Sequence, residues 1–357
     1  MARSVVVAMS GGVDSAAAVA VLHEEGYRVI GVTFRLWEDV SGKRSGPRPC
    51  SLAGAERAAA VARRLGCEHQ VIDLREHFLS RVVEPFAREY LRGRTPNPCV
   101  ECNRWVKFPA LIGVADGLGA DLVATGHYAR ACTGDDGRIS LLRASYRPKD
   151  QSYVLYRLGQ EVISRCLFPN QDMDKEEARR RARAVGLAVD RSEESQEICF
   201  LCGEDYRAFL ARRYPEALAP GPLLDTSGNR LGEHKGIAFY TVGQRRGLGV
   251  SAPHPLYVVE LDPASRAVVL GTREEVPGSR LRAEEAHWVS GFPPGEENAL
   301  EAMARYNTEP VPGRLRVEGD SFELSFSSRV WALTPGQHAV IYRGDEVLGG
   351  GVIAKAR

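Results

Sequence analysis

The sequence predicts an α/β protein with an N-terminal doubly wound parallel sheet, a small central β-rich domain and a C-terminal β-barrel. Three observations lead there. Short apolar runs alternate with helical stretches up to about residue 205, the pattern of parallel strands joined by crossover helices. A Gly-rich hexapeptide, Ser10 to Ser15, separates the first apolar run from the first helical stretch. Past residue 205 the chain turns to Gly- and Pro-rich segments and then to short alternating runs with turn residues between them, as small barrels and sandwiches do. Domains are therefore expected at 1–205, 206–278 and 279–357.

Element by element, Val5-Val6-Val7-Ala8 reads as the first strand and Ala16 to His23 as the helix after it. Val29 to Phe34 is a second strand, followed by a polar loop over Ser41 to Cys50. Ala53 to Leu65 is Ala-rich and helical, with Gly66 placed to end it. Val71 to Leu74 reads as a strand, His77 to Leu91 as one long amphipathic helix, and Asp121 to Thr125 as a buried strand running into Gly126-His127. Ligands of such sheets bind beyond the carboxyl ends of the strands. Both Ser10-Gly11-Gly12 and Gly126-His127 stand at such ends. Pro220-Gly221-Pro222 and Asp225 to Gly228 mark turns, and Leu256 to Leu261 with Ala267 to Leu270 form a hairpin. Leu315 to Val317, Phe322 to Phe326, His338 to Tyr342 and Val347 to Ile353 are the strands of the last domain.

Composition narrows the field. At 357 residues the chain exceeds what one core usually organises. Its 44% apolar and 26% charged residues are ordinary for a soluble globular protein. A net charge of +1 excludes nucleic-acid binding driven by overall charge, leaving local basic patches. No apolar stretch is long enough for a membrane span, and the N-terminus lacks a signal-peptide pattern. A cytoplasmic location with no membrane partner is the expectation. The eight cysteines then read as metal-binding or redox-active rather than as disulfide staples.

The hexapeptide Ser10-Gly11-Gly12-Val13-Asp14-Ser15 follows a strand and opens a helix. Paired glycines let backbone approach an anion, and the helix start offers unpaired N–H groups to phosphate oxygens. Ser10 and Ser15 add hydroxyls, and Asp14 is suited to position Mg²⁺ or a nucleotide. The Gly-Lys-Ser/Thr ending of a Walker A loop is missing. The segment resembles the PP-loop of N-type ATP pyrophosphatases, which implies ATP cleavage between the α- and β-phosphates.

Cys99 and Cys102 form one C-x-x-C and Cys199 with Cys202 a second. Sulfur transfer needs one thiol to carry a persulfide and another to attack it. Two C-x-x-C pairs also suit structural Zn²⁺, and Cys99, Cys102 and Cys199 suit an iron–sulfur cluster. Spacing leaves these open. Cys50, Cys67, Cys132 and Cys166 stand alone and read as small buried or half-buried residues.

Several segments together resemble the tRNA-specific 2-thiouridylases: Ala8 to Ser15, Thr95 to Phe108, Ala124 to Arg130, Lys149 to Tyr153, Ser195 to Phe200, Gly232 to Gly236 and Tyr240 to Gly249. The resemblance spans almost the whole chain in the right order. It implies an adenine nucleotide α-hydrolase-like fold, with ATP held by Ala8, Met9, Ser10, Gly11, Gly12, Val13, Asp14 and Ser15 and flanked by Phe34 and Gly126. It implies Cys199 as persulfide carrier, loaded by a donor protein, and Cys102 as the nucleophile that frees the sulfur, leaving a Cys102–Cys199 disulfide. The substrate implied is the wobble uridine of a tRNA anticodon stem-loop. Asn97, Pro98 and Cys99 would line the base pocket. His127, Lys149, Asp150 and Gln151 would touch the anticodon region, and Arg305, Tyr306 and Gln337 would add contacts from the last domain. Lys235, Arg245 and Arg246 supply charge for RNA backbone, while the basic helix Lys175 to Arg183 reads as simply exposed. Some relatives carry Asp where this chain has Cys99, which places that residue's proton-transfer role in doubt. Cys202 lies outside the shared motif. The rival readings are another PP-loop ligase acting on tRNA, cluster-dependent thiolation by the same cysteines, and a metal-stapled RNA-binding protein.

Overall fold

The computed structural model describes residues 2–38, 52–134, 136–188, 198–295 and 300–356. The polar loop ending in Cys50, and Ser195, Gln196 and Glu197, lie outside them. In chain order the first strands are β1 (Ser4–Ala8), β2 (Arg28–Arg35), β3 (Glu68–Asp73), β4 (Leu122–Thr125), β5 (Ala129–Thr133), β6 (Ile139–Arg143) and β7 (Cys166–Leu167). Five of them form one sheet in the order β3-β2-β1-β4-β7, every neighbour parallel.

Alternation along β1 shows why the sheet is covered on both sides. Val5 and Val7 pack with α1 (Val13–Glu24) and α2 (Leu52–Arg64), whereas Val6 packs with the helices that carry Phe86 and Leu111. Consecutive residues thus feed opposite cores. The chain leaves β1 into α1 on one side and reaches β4 on the other, so the order reverses between these two strands. That reversal opens a crevice at their carboxyl ends. The Ser10 loop and Gly126-His127 border it.

Several elements differ from the sequence expectation. β3 starts at Glu68 and ends at Asp73, before Leu74. It is an edge strand with Val71 49% exposed, because β2 covers only one side of it. The expected single helix His77 to Leu91 begins at Arg75 and carries a π-helical turn over Leu79–Val83. A second π turn, Asn103–Lys107, joins helix Pro98–Cys102 to helix Phe108–Leu118. Such turns gather at functional sites, and this one follows directly on Cys102. The helix Lys175–Ala184 is not simply exposed. Ala178, Arg179 and Ala182 are buried, and Arg180 and Arg181 pair with Glu177.

Past the sheet, helix Tyr206–Arg213 leads into strands β8 (Gly221–Asp225), β9 (Arg230–His234), β10 (Tyr257–Asp262) and β11 (Ala267–Gly271), ordered β10-β11-β8-β9. The Gly221-Pro222 segment, expected as a turn, begins β8. A closed barrel follows, made of β12 (Gly278–Trp288), β13 (Leu300–Met303), β14 (Val311–Glu318), β15 (Ser321–Val330), β16 (His338–Arg343) and β17 (Glu346–Ala356). β12 closes it by pairing with both β15 and β17. The hairpin β5–β6, from the nucleotide half of the chain, extends this barrel sheet by pairing β6 with β17. Among the described residues no helix is long and apolar enough to cross a membrane.

Candidate active site

The crevice opens into a cavity of about 220 Å³. Its wall includes Ala8, Met9, Ser10, Asp14 and Ser15 from the loop side, and Pro98, Cys99, Cys102 and Lys107 from the helical side. Gly126, His127, Gln151, Phe34, Cys199 and Phe200 also line it. Segments far apart in the chain, with the residues expected to hold nucleotide and those expected to move sulfur, thus meet around one space.

The loop keeps its shape through its own side chains. Ser15 Oγ donates to the Gly12 carbonyl at 3.0 Å, and the Ser10 N–H donates to Ser15 Oγ at 3.2 Å. Gly11 has φ +75, a left-handed conformation that favours glycine. A Cβ there would stand 2.2 Å from the Gly54 carbonyl oxygen of α2. Gly11, Gly12 and Val13 therefore shape the loop without themselves lining the cavity, and Val13 packs into the cores on either side of α1. Gly126 permits a second close approach, at the head of α1. A Cβ on it would lie 2.7 Å from the backbone of Asp14. Asn170 locks the same junction. Fully buried, it donates from Nδ2 to the carbonyls of Asp14 and Gly126, both at 2.9 Å. Tyr128 adds a hydroxyl donated to Asp14 Oδ1 at 2.7 Å. Neither Asn170 nor Tyr128 was picked out from sequence for this task, since no local pattern marks a residue that clamps two distant carbonyls.

The thiols are set by their neighbours. Asn97 caps helix Pro98–Cys102, its Oδ1 accepting from the Cys99 N–H at 3.1 Å. Asn97 thus shapes the base side from behind rather than lining the cavity. Helical spacing puts Cys99 and Cys102 on one face. Cys102 is buried, while Cys99 and Cys199 are exposed to the cavity. Cys199 is placed by the residue after it. Phe200 is buried among Trp37, Phe78, Phe86 and Phe209, with ring centroids 5.1 to 6.0 Å away. The aromatic anchor holds the short helix Cys199–Leu201 against the crevice. Cys202 closes that turn at φ +53 and does not line the cavity.

Electrostatics follow from crowding. Although its surface opens on the cavity, Cys99 is crowded by surrounding protein, and this desolvation pushes its thiol up, opposed in part by the nearby Lys107 ammonium. His127 shares a 2.8 Å hydrogen bond with Thr125 Oγ1 and stacks on Phe108 at 6.0 Å. Burial, helped by Lys107, lowers its pKa from 6.5 to about 3. His127 is therefore a neutral hydrogen-bonding group at pH 7. Lys107 is a cation on the cavity wall that no sequence signal singled out, although it lies within the Thr95 to Phe108 segment that holds the first C-x-x-C. The depressed His127 and the still more deeply buried His338 carry a consequence for stability. The unfolded chain binds these protons below about pH 6.5 and the folded chain does not. Their contribution is complete above that pH and is lost as the solution is acidified toward pH 3. Thermal melts across pH 4 to 8 should show the midpoint falling on the acid side. A midpoint that is flat or rising there would contradict the burial of these rings.

The other expected contacts divide. Gln151 reaches the cavity while its Oε1 accepts from the Tyr128 N–H at 3.1 Å. Lys149 lies 5.8 Å from the Tyr128 ring. Asp150 is nearly buried, accepting from the Ala144 N–H and from Ser152 Oγ and pairing with Arg143. Arg305 and Tyr306 are exposed. Tyr306 and Asp150 border a second hollow of about 170 Å³ together with Arg143, Arg147 and Tyr153. Gln337 differs. It is 9% exposed and donates to the Thr95 and Pro96 carbonyls, bracing the loop before Cys99. A second brace comes from the barrel. Glu285, at φ +53 in a bulge of β12, accepts from the buried Arg157 at 3.0 Å and from Arg104 at 3.3 Å.

For a metal the donor set does not fit. Cys99, Cys102 and Cys199 share the cavity, yet among the described residues no three Cys, His, Asp or Glu side chains gather closely enough to hold an ion. Cys67 is half-buried and Cys166 buried, as expected of isolated cysteines, whereas Cys132 is exposed. Burial pushes the Cys166 thiol up to about 12.

Comparison with known proteins adds the following. Residues 3–203 match the tRNA methyl transferase HUP domain, 207–272 the tRNA methyl transferase PRC-barrel domain and 279–353 the aminomethyltransferase beta-barrel domain. A protein of Chloroflexus aurantiacus named tRNA-specific 2-thiouridylase MnmA is 47% identical, over 99% of this chain and 98% of its own length. One of Heliobacterium modesticaldum with the same name is 45% identical, over 99% of this chain and 93% of its own. A solved 4-thiouridine synthetase–RNA complex with bound ATP shares 18% identity over 52% of this chain and 41% of its own, at a TM-score of 0.35.

Proposed function

The chain belongs to the tRNA-specific 2-thiouridylase family, and from that membership we propose how its cavity carries out the reaction. The protein is a sulfurtransferase of tRNA that uses ATP to put sulfur in place of the 2-oxygen of uridine. One observation carries the reading: the nucleotide loop and both motif cysteines line a single cavity.

In this reading the loop from Ala8 to Ser15 receives the phosphates, with Phe34 and Gly126 beside the adenosine. The 2-carbonyl oxygen of the wobble uridine, in an anticodon stem-loop, attacks the α-phosphorus. That step expels pyrophosphate and turns a poor leaving oxygen into a good one. Lys107 offsets negative charge as it develops, and Mg²⁺, which Asp14 as the loop's one carboxylate would help hold, would shield the phosphates. Neutral His127 and the loop Asn97-Pro98-Cys99 receive the base once it leaves its stack. A protein donor loads Cys199 as a persulfide, and the terminal sulfur attacks C2. Cys102 then attacks Cys199 Sγ, breaking the S–S bond, so the sulfur stays on C2 and a Cys102–Cys199 disulfide forms. Collapse of the adduct expels AMP. The two electrons that reduce the transferred sulfur come from the two thiols. Outside the cavity, Lys149, Asp150, Arg305 and Tyr306 engage the anticodon arm; Gln151 does so from the cavity wall, and Gln337 acts through the Thr95–Pro96 loop. The expected setting is the cytoplasm.

Incubation of the purified protein with unmodified tRNA, ATP and a persulfide source should yield 2-thiouridine, AMP and pyrophosphate in equal amounts. Nucleoside mass spectrometry reads the first. Pyrophosphate release with sulfur-free tRNA would point instead to another PP-loop ligase.

A further inference from the structure

We infer that Cys99 is a third working thiol, which takes over the disulfide from Cys199 after each sulfur transfer. The inference rests on the thiouridylase reading and extends it to the fate of the oxidised enzyme. Three thiols line the cavity, and the transfer as written uses two. Cys99 stands three residues before Cys102 on the same helix face. Helical neighbours at that spacing have Cβ atoms about 5–6 Å apart. Their Cα separation of about 5 Å lies within the range a disulfide spans, so a modest closing of the first helical turn joins the sulfurs. The cap from Asn97 and the proline at position 98 hold Cys99 in that turn.

The chemistry closes without an outside partner. Cys99 thiolate attacks Cys102 Sγ of the Cys102–Cys199 disulfide. The Cys99–Cys102 bond forms, the Cys102–Cys199 bond breaks, and Cys199 leaves as a thiolate. No electrons enter or leave the protein in this step. Two features of the site make the exchange useful. Cys199 is the exposed sulfur carrier, and the exchange returns it ready for another persulfide. Cys102 is buried, but its new partner Cys99 is exposed. An external thiol reductant therefore reaches Cys99 Sγ, forms a mixed disulfide and releases Cys102. A second reductant thiol then resolves the mixed disulfide and restores Cys99.

The test uses the full chain, reduced, loaded with one equivalent of persulfide sulfur and freed of reductant. After reaction with ATP and unmodified tRNA, acid quenching and alkylation precede peptide mass spectrometry. For each 2-thiouridine formed, the expected product is an unalkylated Cys99–Cys102 peptide and an alkylated Cys199. The same sample should accept about one further equivalent of persulfide per enzyme. Cys99→Ser should end as a Cys102–Cys199 cross-link and lose that second loading. A wild-type end state with Cys99 alkylated and Cys102 joined to Cys199 overturns the inference. So does a Cys99→Ser protein that reloads as the parent does. Absence of 2-thiouridine from the wild type sinks the activity itself, an outcome distinct from a failed exchange, in which product still forms.

Discussion

Cys199→Ser should reduce 2-thiouridine formation to below about one-hundredth of the parental rate while pyrophosphate release persists. A hydroxyl matches the thiol in shape but cannot carry a persulfide, so the sulfur has no carrier. The adenylation half is untouched, because Ser10, Ser15 and Gly126 lie on another wall of the cavity. The two readouts must therefore separate. If both fall together, position 199 matters for shape rather than for sulfur. If neither falls, sulfur arrives by a route that bypasses this residue. Because Phe200 and not Cys199 anchors the segment, the substitution should leave the melting temperature within a few degrees of the parent.

Gly126→Ala should strike the other half of the reaction. Its Cβ would stand 2.7 Å from the Asp14 carbonyl and 2.8 Å from the Ser15 nitrogen. These are backbone atoms at the head of α1 and cannot swing aside. Either the phosphate loop or the end of β4 must move, and Asn170 resists, since it holds both carbonyls together. Displacements of about 1 Å near reacting groups cost on the order of 10²-fold in rate. Pyrophosphate release should drop by that order, with overpacking costing roughly 1–3 kcal/mol of stability. Gly113→Ala is the control. It sits inside helix Phe108–Leu118 with nothing within 4 Å of a new Cβ. It should leave the rate alone and stabilise by roughly 1 kcal/mol. A Gly126→Ala enzyme with parental pyrophosphate release would refute the close approach.

What could be read from the sequence was what is local. The Ser10 loop declares itself because a buried strand, two glycines and a helix follow one another within a few residues. The C-x-x-C pairs declare themselves by spacing. The aromatic anchor of Cys199 was in plain view as Phe200, but its partners Trp37, Phe78, Phe86 and Phe209 come from three other segments. What failed was whatever depends on distant partners. Gln337, assigned outward to RNA by resemblance, faces inward because a barrel turn meets the Thr95–Pro96 loop. Asn170 shows no pattern in one dimension, since its task exists only where β1 and β4 diverge. Val71 read as a strand residue, but that its strand lies on an edge could not be read, because sheet order is not written in hydrophobicity. The hairpin β5–β6 escaped notice for a related reason. Its segment is polar and charged, and its stabilising neighbour lies far along the chain.

That hairpin sets a timetable for the protein as it leaves the ribosome. Ser140 of β6 bonds Glu346 of β17 across 206 residues of sequence. While the chain is being made, the hairpin is extruded long before the strand that will lie beside it. Throughout that interval its backbone donors and acceptors along one border go without a strand, a surface on which nascent chains can stick to one another. Ribosome-bound chains arrested before residue 346 should be the ones that a holdase chaperone retains, and synthesis of the final strand should release them.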